Sequence, residues 1–96
     1  MISYKIRFTP EVARLLSKLH PENKKLIKNG LKELKKNPEI GGNLQEELSG
    51  FKSYRLKRYR VIYKIIEEQK EMHIYYIGHR TDVYEQFQNL LSRLSP

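Results

Sequence analysis

Between Ser53 and Lys64 the chain reads SYRLKRYRVIYK, in which apolar side chains alternate with cations and no acid intervenes. A period of two is the signature of a strand with one buried face, and a slip of one residue would turn every cation inward at a prohibitive desolvation cost. The segment therefore folds as a hairpin whose two faces are chemically opposite. A turn at Arg58 and Tyr59 sets Lys57 against Arg60, Leu56 against Val61, Arg55 against Ile62 and Tyr54 against Tyr63. Tyr54, Leu56, Val61, Tyr63 and Ile65 then form a core face; Arg55, Lys57, Arg60 and Lys64 share the other with Ile62. A tight hairpin prefers Asn-Gly or glycine, which this one lacks. Like charges facing each other across a sheet repel. Two readings follow: an anion seated between the cations, which reverses the sign of that interaction, or a solvated basic strand protecting a sheet edge.

The rest of the chain supplies elements to pack against this hairpin. Ile2, Tyr4, Ile6 and Phe8 alternate with Ser3, Lys5 and Arg7 as a strand over 2–8. Thr9-Pro10 reads as a helix cap followed by proline in the first turn, with Val12, Leu15, Leu16 and Leu19 as the apolar stripe. His20-Pro21 breaks that helix. A second runs from Pro21 to Lys36 on Leu26 or Ile27, Leu31 and Leu34, until Asn37-Pro38 stops it. The two should form an antiparallel hairpin, with Gly30 marking a close approach to a neighbour. The lysines of the second helix, from Lys24 to Lys36, read as a solvated face. Residues 37–50 have loop composition. Strands are expected at 53–57, 60–66 and 72–77, then a helix capped by Thr81 with Val83, Phe87, Leu90, Leu91 and Leu94 inward. The fold class is α+β: an N-terminal strand and helical hairpin packed on a small antiparallel sheet, in the order β-α-α-β-β-β-α. Ninety-six residues suit a single domain over 1–96.

Charge narrows the partners. Nineteen Lys and Arg against 11 Asp and Glu leave +8, a surplus that favours a polyanion such as nucleic acid or an acidic protein. With no cysteine, disulfides and thiolate metal sites are excluded. Apolar runs are too short for a membrane span and MISYKIRF lacks the pattern of a signal peptide, so a cytoplasmic protein is expected. Asp82 is the sole aspartate, and His20, His73 and His79 lack metal-ligand spacing. His73 lies in a strand with its direction open, and His79, after Gly78, could line a site.

The basic hairpin followed by YYIGHRTDVYEQF, residues 75–87, resembles the RelE/ParE toxin superfamily and within it the RelE-like branch. The likeness runs from the first strand through LSG and YRLKRYRVIYKI to IGHRTDVY. This resemblance implies the toxin of a toxin–antitoxin pair: a ribosome-dependent endoribonuclease that cuts messenger RNA in the A site through its own ribose 2′-OH, without metal or cofactor. It implies Arg55, Lys57, Arg60, Arg80 and Tyr84 as catalytic positions, with Lys52, Arg58, Lys64 and His79 as further RNA contacts. Its partners would be a cognate antitoxin, in a hetero-oligomer, and the ribosome with its messenger, with no membrane. The chain departs from the pattern in a shorter hairpin turn without glycine, in Arg55 where some members carry lysine, and in His79 before the arginine.

Chemistry assigns roles among these residues. Arg60 and Arg80 can grip phosphate oxygens bidentately, whereas Lys57 can surrender a proton and is the general-base candidate. His79 is the titrating alternative. Tyr84 can stack on a base, bond the 2′-OH, or simply pack in the core. Two other readings use the same fold: a ParE-like DNA gyrase poison, and a noncatalytic RNA- or partner-binding module.

Overall fold

The cap at the first helix forms as its residues dictate. Thr9 accepts a hydrogen bond from the Val12 N–H at 3.2 Å, and Pro10 opens α1 (Pro10–Ser17). In the computed structural model, which describes residues 4–94, α2 follows as Pro21–Lys36. Val12 and the α2 residues Ile27, Leu31 and Leu34 are buried in one core, with Leu16 and Leu19 partly buried against it. Gly30 does mark a close approach, but to a strand: a Cβ there would lie 2.6 Å from Leu56 Cγ.

Five strands make the sheet: β1 (Lys5–Phe8), β2 (Gly42–Asn43), β3 (Lys52–Leu56), β4 (Tyr59–Ile66) and β5 (Glu71–His79), ordered β1-β5-β4-β3-β2. Two features correct the expected antiparallel sheet. The first strand pairs with β5 in parallel, Lys5 opposite Glu71 and Phe8 opposite Ile74, so the sheet is mixed. The loop over 37–50 contributes an additional strand, β2, paired antiparallel with β3. Ile2 and Ser3 of the expected first strand lie outside the described residues. Phe8, expected in the core, is 45% exposed, because it ends the edge strand and the chain turns at once into α1.

The last helix, α3 (Val83–Leu94), lies on the opposite face of the sheet from α1 and α2. It begins two residues after Thr81, whose hydroxyl pairs with His79 Nδ1 at 2.9 Å instead of capping the helix. Val83, Phe87 and Leu90 cover Ile62, while Leu94 at the helix end stays exposed. Ile62 was the one apolar residue on the basic face of the hairpin, and α3 is what buries it. Alternation along β4 puts Val61 and Tyr63 beneath α1 and α2 and Ile62 beneath α3. A bulge in β5, where Tyr63 pairs with Ile74 and Tyr75 is skipped, lets Ile74 and Ile77 both join the first core while Tyr75 and Tyr76 both pack with the second. No helix among the described residues is long and apolar enough to cross a membrane.

Candidate functional site

The hairpin turn is made by Lys57 and Arg58, one residue earlier than expected, so that Leu56 faces Tyr59, Arg55 faces Arg60 and Tyr54 faces Val61. The faces survive the correction. Moving the turn by one residue changes each partner by two, which preserves which side chains share a side. The consequence for charge is sharper than expected, because Arg55 and Arg60 stand directly opposite each other. Lys57 takes φ of +54°, a left-handed conformation usually left to glycine or asparagine.

Arg60 is held by the turn it follows. Its Nη1 donates to the Lys57 carbonyl at 2.9 Å and to the Tyr59 carbonyl at 2.8 Å. A guanidinium carries five N–H donors, so the Nε and Nη2 edge keeps three for a ligand. Among the described residues, no carboxylate forms a salt bridge with Arg55, Lys57, Arg58, Arg60 or Arg80.

A groove of about 380 Å³ brings part of the expected set together: Arg55, Arg60 and Tyr84, walled by Ser53, Gly42 and Leu44. Tyr84, in the first turn of α3, reaches β3, where its hydroxyl and the Ser53 hydroxyl are 2.9 Å apart. Gly42 is paired with Ser53, and a Cβ built on it meets nothing within 4 Å, so this wall is open. Ser53, Gly42 and Leu44 were absent from the sequence-derived set. The alternation does put Ser53 on the Arg55 face, whereas nothing local announces β2.

Other expected contacts stand elsewhere. Arg80 follows β5 and donates its backbone N–H to the Arg58 carbonyl at 2.7 Å, which puts it beside the hairpin turn but outside the groove walls. Lys57 and Arg58 are exposed at that turn. His79 pairs with Tyr59 on the opposite face of the sheet from Arg60, its ring 6.3 Å from the Tyr59 ring. Lys52 likewise faces away and is engaged by Asn43 Oδ1 at 3.0 Å and by Glu39 at 3.2 Å. Lys64 lies on the Arg60 face, but its ammonium sits 4.4 Å above the Phe51 ring.

A wider concavity of about 570 Å³ at the β1 edge includes Arg7, Glu71, His73 and Tyr75. Its charges are already matched: Glu71 bonds Arg7 Nε and His73 Nε2, each at 3.0 Å, and these bonds, His73 first, hold its carboxyl below the usual range. The hairpin groove, with cations lacking an acidic partner, is the stronger candidate.

Residues 6–88 match the family described as ParE-like toxin of type II bacterial toxin-antitoxin system. This chain is a ParE-like toxin. It is 34% identical over 83 residues to Toxin RelG of Mycobacterium tuberculosis, spanning 84% of this chain and 95% of the relative. The toxin also superposes on a chain of the toxin–antitoxin complex RelBE2 from M. tuberculosis, with a TM-score of 0.75, 32% identity and coverage of 82% and 100% of the two chains. The isolated RelE toxin of E. coli shares the fold at a TM-score of 0.70 and 22% identity, over 97% of this toxin and 100% of that one. These likenesses place the toxin in the RelE/ParE superfamily and bear out the α+β reading of its fold.

Proposed function

We propose that the toxin is an endoribonuclease that cuts messenger RNA on the ribosome, with all 96 residues acting as one domain. The observation that carries this reading is the direct opposition of Arg55 and Arg60, without salt-bridged carboxylates, in the groove that also holds Tyr84. Two arginines forced side by side repel until an anion separates them, and a phosphodiester has the required charge and shape.

The ribose 2′-oxygen attacks the adjacent phosphorus, the bond from phosphorus to the 5′-oxygen breaks, and a cyclic phosphate and a 5′-hydroxyl result. The proton of the 2′-OH goes to a base, and the departing 5′-oxygen takes one from an acid. Charge accumulates on the phosphorane oxygens during attack, so cations fixed beforehand stabilise that state more than the ground state. Arg60 and Arg80 serve as the clamp, Arg55 as a further phosphate contact and Lys57 as the base. His79, directed away from Arg60, suits the rim better than proton transfer. Tyr84 presents a ring to the nucleotide. The ribosome supplies orientation that this small groove lacks, which by itself is worth several kcal/mol of barrier.

The remaining cations would contact RNA backbone: Arg58 at the turn, and Lys52 and Lys64 if the messenger displaces their present partners. The toxin would work in the cytoplasm and be held inactive by a cognate antitoxin that supplies the missing acidic groups. Toxin RelG and the RelBE2 complex support this reading by likeness.

Primer extension on messenger translated in the presence of the purified toxin tests the proposal. Cuts in phase with codons are expected, with Arg80→Ala lowering the rate about 100-fold through loss of a charge-stabilising donor. Uncut messenger together with inhibited supercoiling by purified gyrase would instead establish a gyrase poison. Inactivity in both assays would leave a binding module.

The strained turn offers a separate test. Lys57→Gly relieves the left-handed backbone and is expected to leave stability unchanged or raise it by up to about 1 kcal/mol. The same change should lower cleavage at least tenfold by removing the base. Thermal unfolding and single-turnover cleavage measured on one preparation separate the two effects.

A further inference from the structure

We infer that Ser53 is a positioning residue for Tyr84, fixing the ring as one wall of the groove before any nucleotide arrives. Tyr84 is 37% exposed and sits in the first turn of a helix, where a tyrosine otherwise has rotameric freedom. Its hydroxyl is 2.9 Å from the Ser53 hydroxyl, the one side-chain hydrogen bond it makes among the described residues. Ser53 is a rigid anchor because it lies within the sheet, paired with Gly42 of β2 on one side and Ile62 of β4 on the other. It also stands two residues from Arg55 on the same face, so one strand sets both the aromatic wall and a cation.

The open side of the groove at Gly42 completes the arrangement. Because no side chain projects there, the space between Tyr84 and β2 can admit a flat ring. A nucleobase is the ligand of that shape, and an aromatic ring held in advance loses less freedom on stacking than a mobile one. The hydrogen bond connects groups distant in the chain, so the position of the ring depends on α3 remaining seated on the sheet.

This inference rests on the nuclease reading, and a double-mutant cycle on messenger cleavage tests it. Ser53→Ala should lower the cleavage rate about fivefold, the scale of one neutral hydrogen bond. Ser53→Thr, which keeps the hydroxyl, should restore the rate to within about twofold on the same scale. In a Tyr84→Phe background Ser53→Ala should change nothing further, since the hydroxyl it held is gone. An equal loss in both backgrounds, or no loss in the first, overturns the role. Thermal unfolding of each variant identifies any loss that comes from folding. If the unaltered toxin cuts no messenger, the nuclease reading fails by itself. The positioning role is then read by NMR of the Tyr84 ring, whose contacts to β3 must weaken in Ser53→Ala. Unchanged contacts would refute it.

Discussion

Arg60→Lys is expected to lower messenger cleavage at least 100-fold while leaving the thermal midpoint almost unmoved. The substitution preserves charge, so simple attraction to RNA predicts a small effect. The geometry predicts a large one. Two carbonyls of the turn, those of Lys57 and Tyr59, already take donors from Arg60 Nη1. Arginine satisfies both and still has three donors on one planar edge for two phosphate oxygens. An ammonium has three donors in all; serving the same carbonyls would leave it one, and its direction would not suit bidentate contact. Single-turnover cleavage on programmed ribosomes measures the effect, and a lysine variant within threefold of the parent would show that Arg60 acts only as a point charge. Stability should change by no more than about 1 kcal/mol, since the carbonyls left free lie near solvent.

The largest expected effect on stability belongs to Tyr63→Phe. Tyr63 is fully buried, and its hydroxyl donates to the Pro38 carbonyl at 2.5 Å while accepting from the Gly41 N–H at 3.1 Å. Phenylalanine fills the same space but leaves both backbone groups without that partner, at a cost of about 2 kcal/mol. For a chain of this length that lowers the midpoint by about 10 °C. The damage should reach the groove, because residues 38–41 lead directly into β2, its far wall.

Alkaline pH provides a second readout. Burial pushes the Tyr63 phenol up to about 12, against about 10 in an unfolded chain. Below pH 10 both states hold the proton and its stabilisation is complete. Between pH 10 and about 12 the unfolded chain releases the proton first, so stability falls as pH rises. The phenylalanine variant should lack this component, whereas Tyr76, also raised by burial, retains its share. Denaturant titrations between pH 8 and about 12 measure the difference directly.

Local chemistry made some elements readable from residues alone. Thr9-Pro10 announced α1, and Ile27, Leu31 and Leu34 gave the inward face of α2, because caps and periodicity act within a few residues. The two faces of the basic hairpin were equally readable; even a misplaced turn left them intact, since each partner moved by two. Long-range features were not. Nothing in KIRF says that its partner is β5 or that the pairing is parallel, and a two-residue strand such as β2 has no period to detect.

The candidate site divides along the same line. Alternation placed Arg55 and Arg60 together, and the strand that carries Arg55 also carries Ser53. It could not reveal that Lys52 would be drawn to Glu39, or that the pairing with Tyr59 would carry His79 to the other side. Tyr84 came to the groove through a hydrogen bond spanning 31 residues of chain, a contact that only the assembled sheet and helix create.

The parallel pairing of β1 with β5 also bears on how the molecule comes into being. Lys5 to Phe8, translated well before Glu71 to Ile74, must wait for them before acquiring a neighbouring strand. Contacts so distant in the chain form late and carry a heavy loop-closure cost. The hairpin bearing Arg55 and Arg60 can form early, but β5, which joins it to β1, is made only afterwards. Tyr84 can reach Ser53 only once β5 and α3 have followed the hairpin, so the groove is completed by elements translated after the strands that carry its cations.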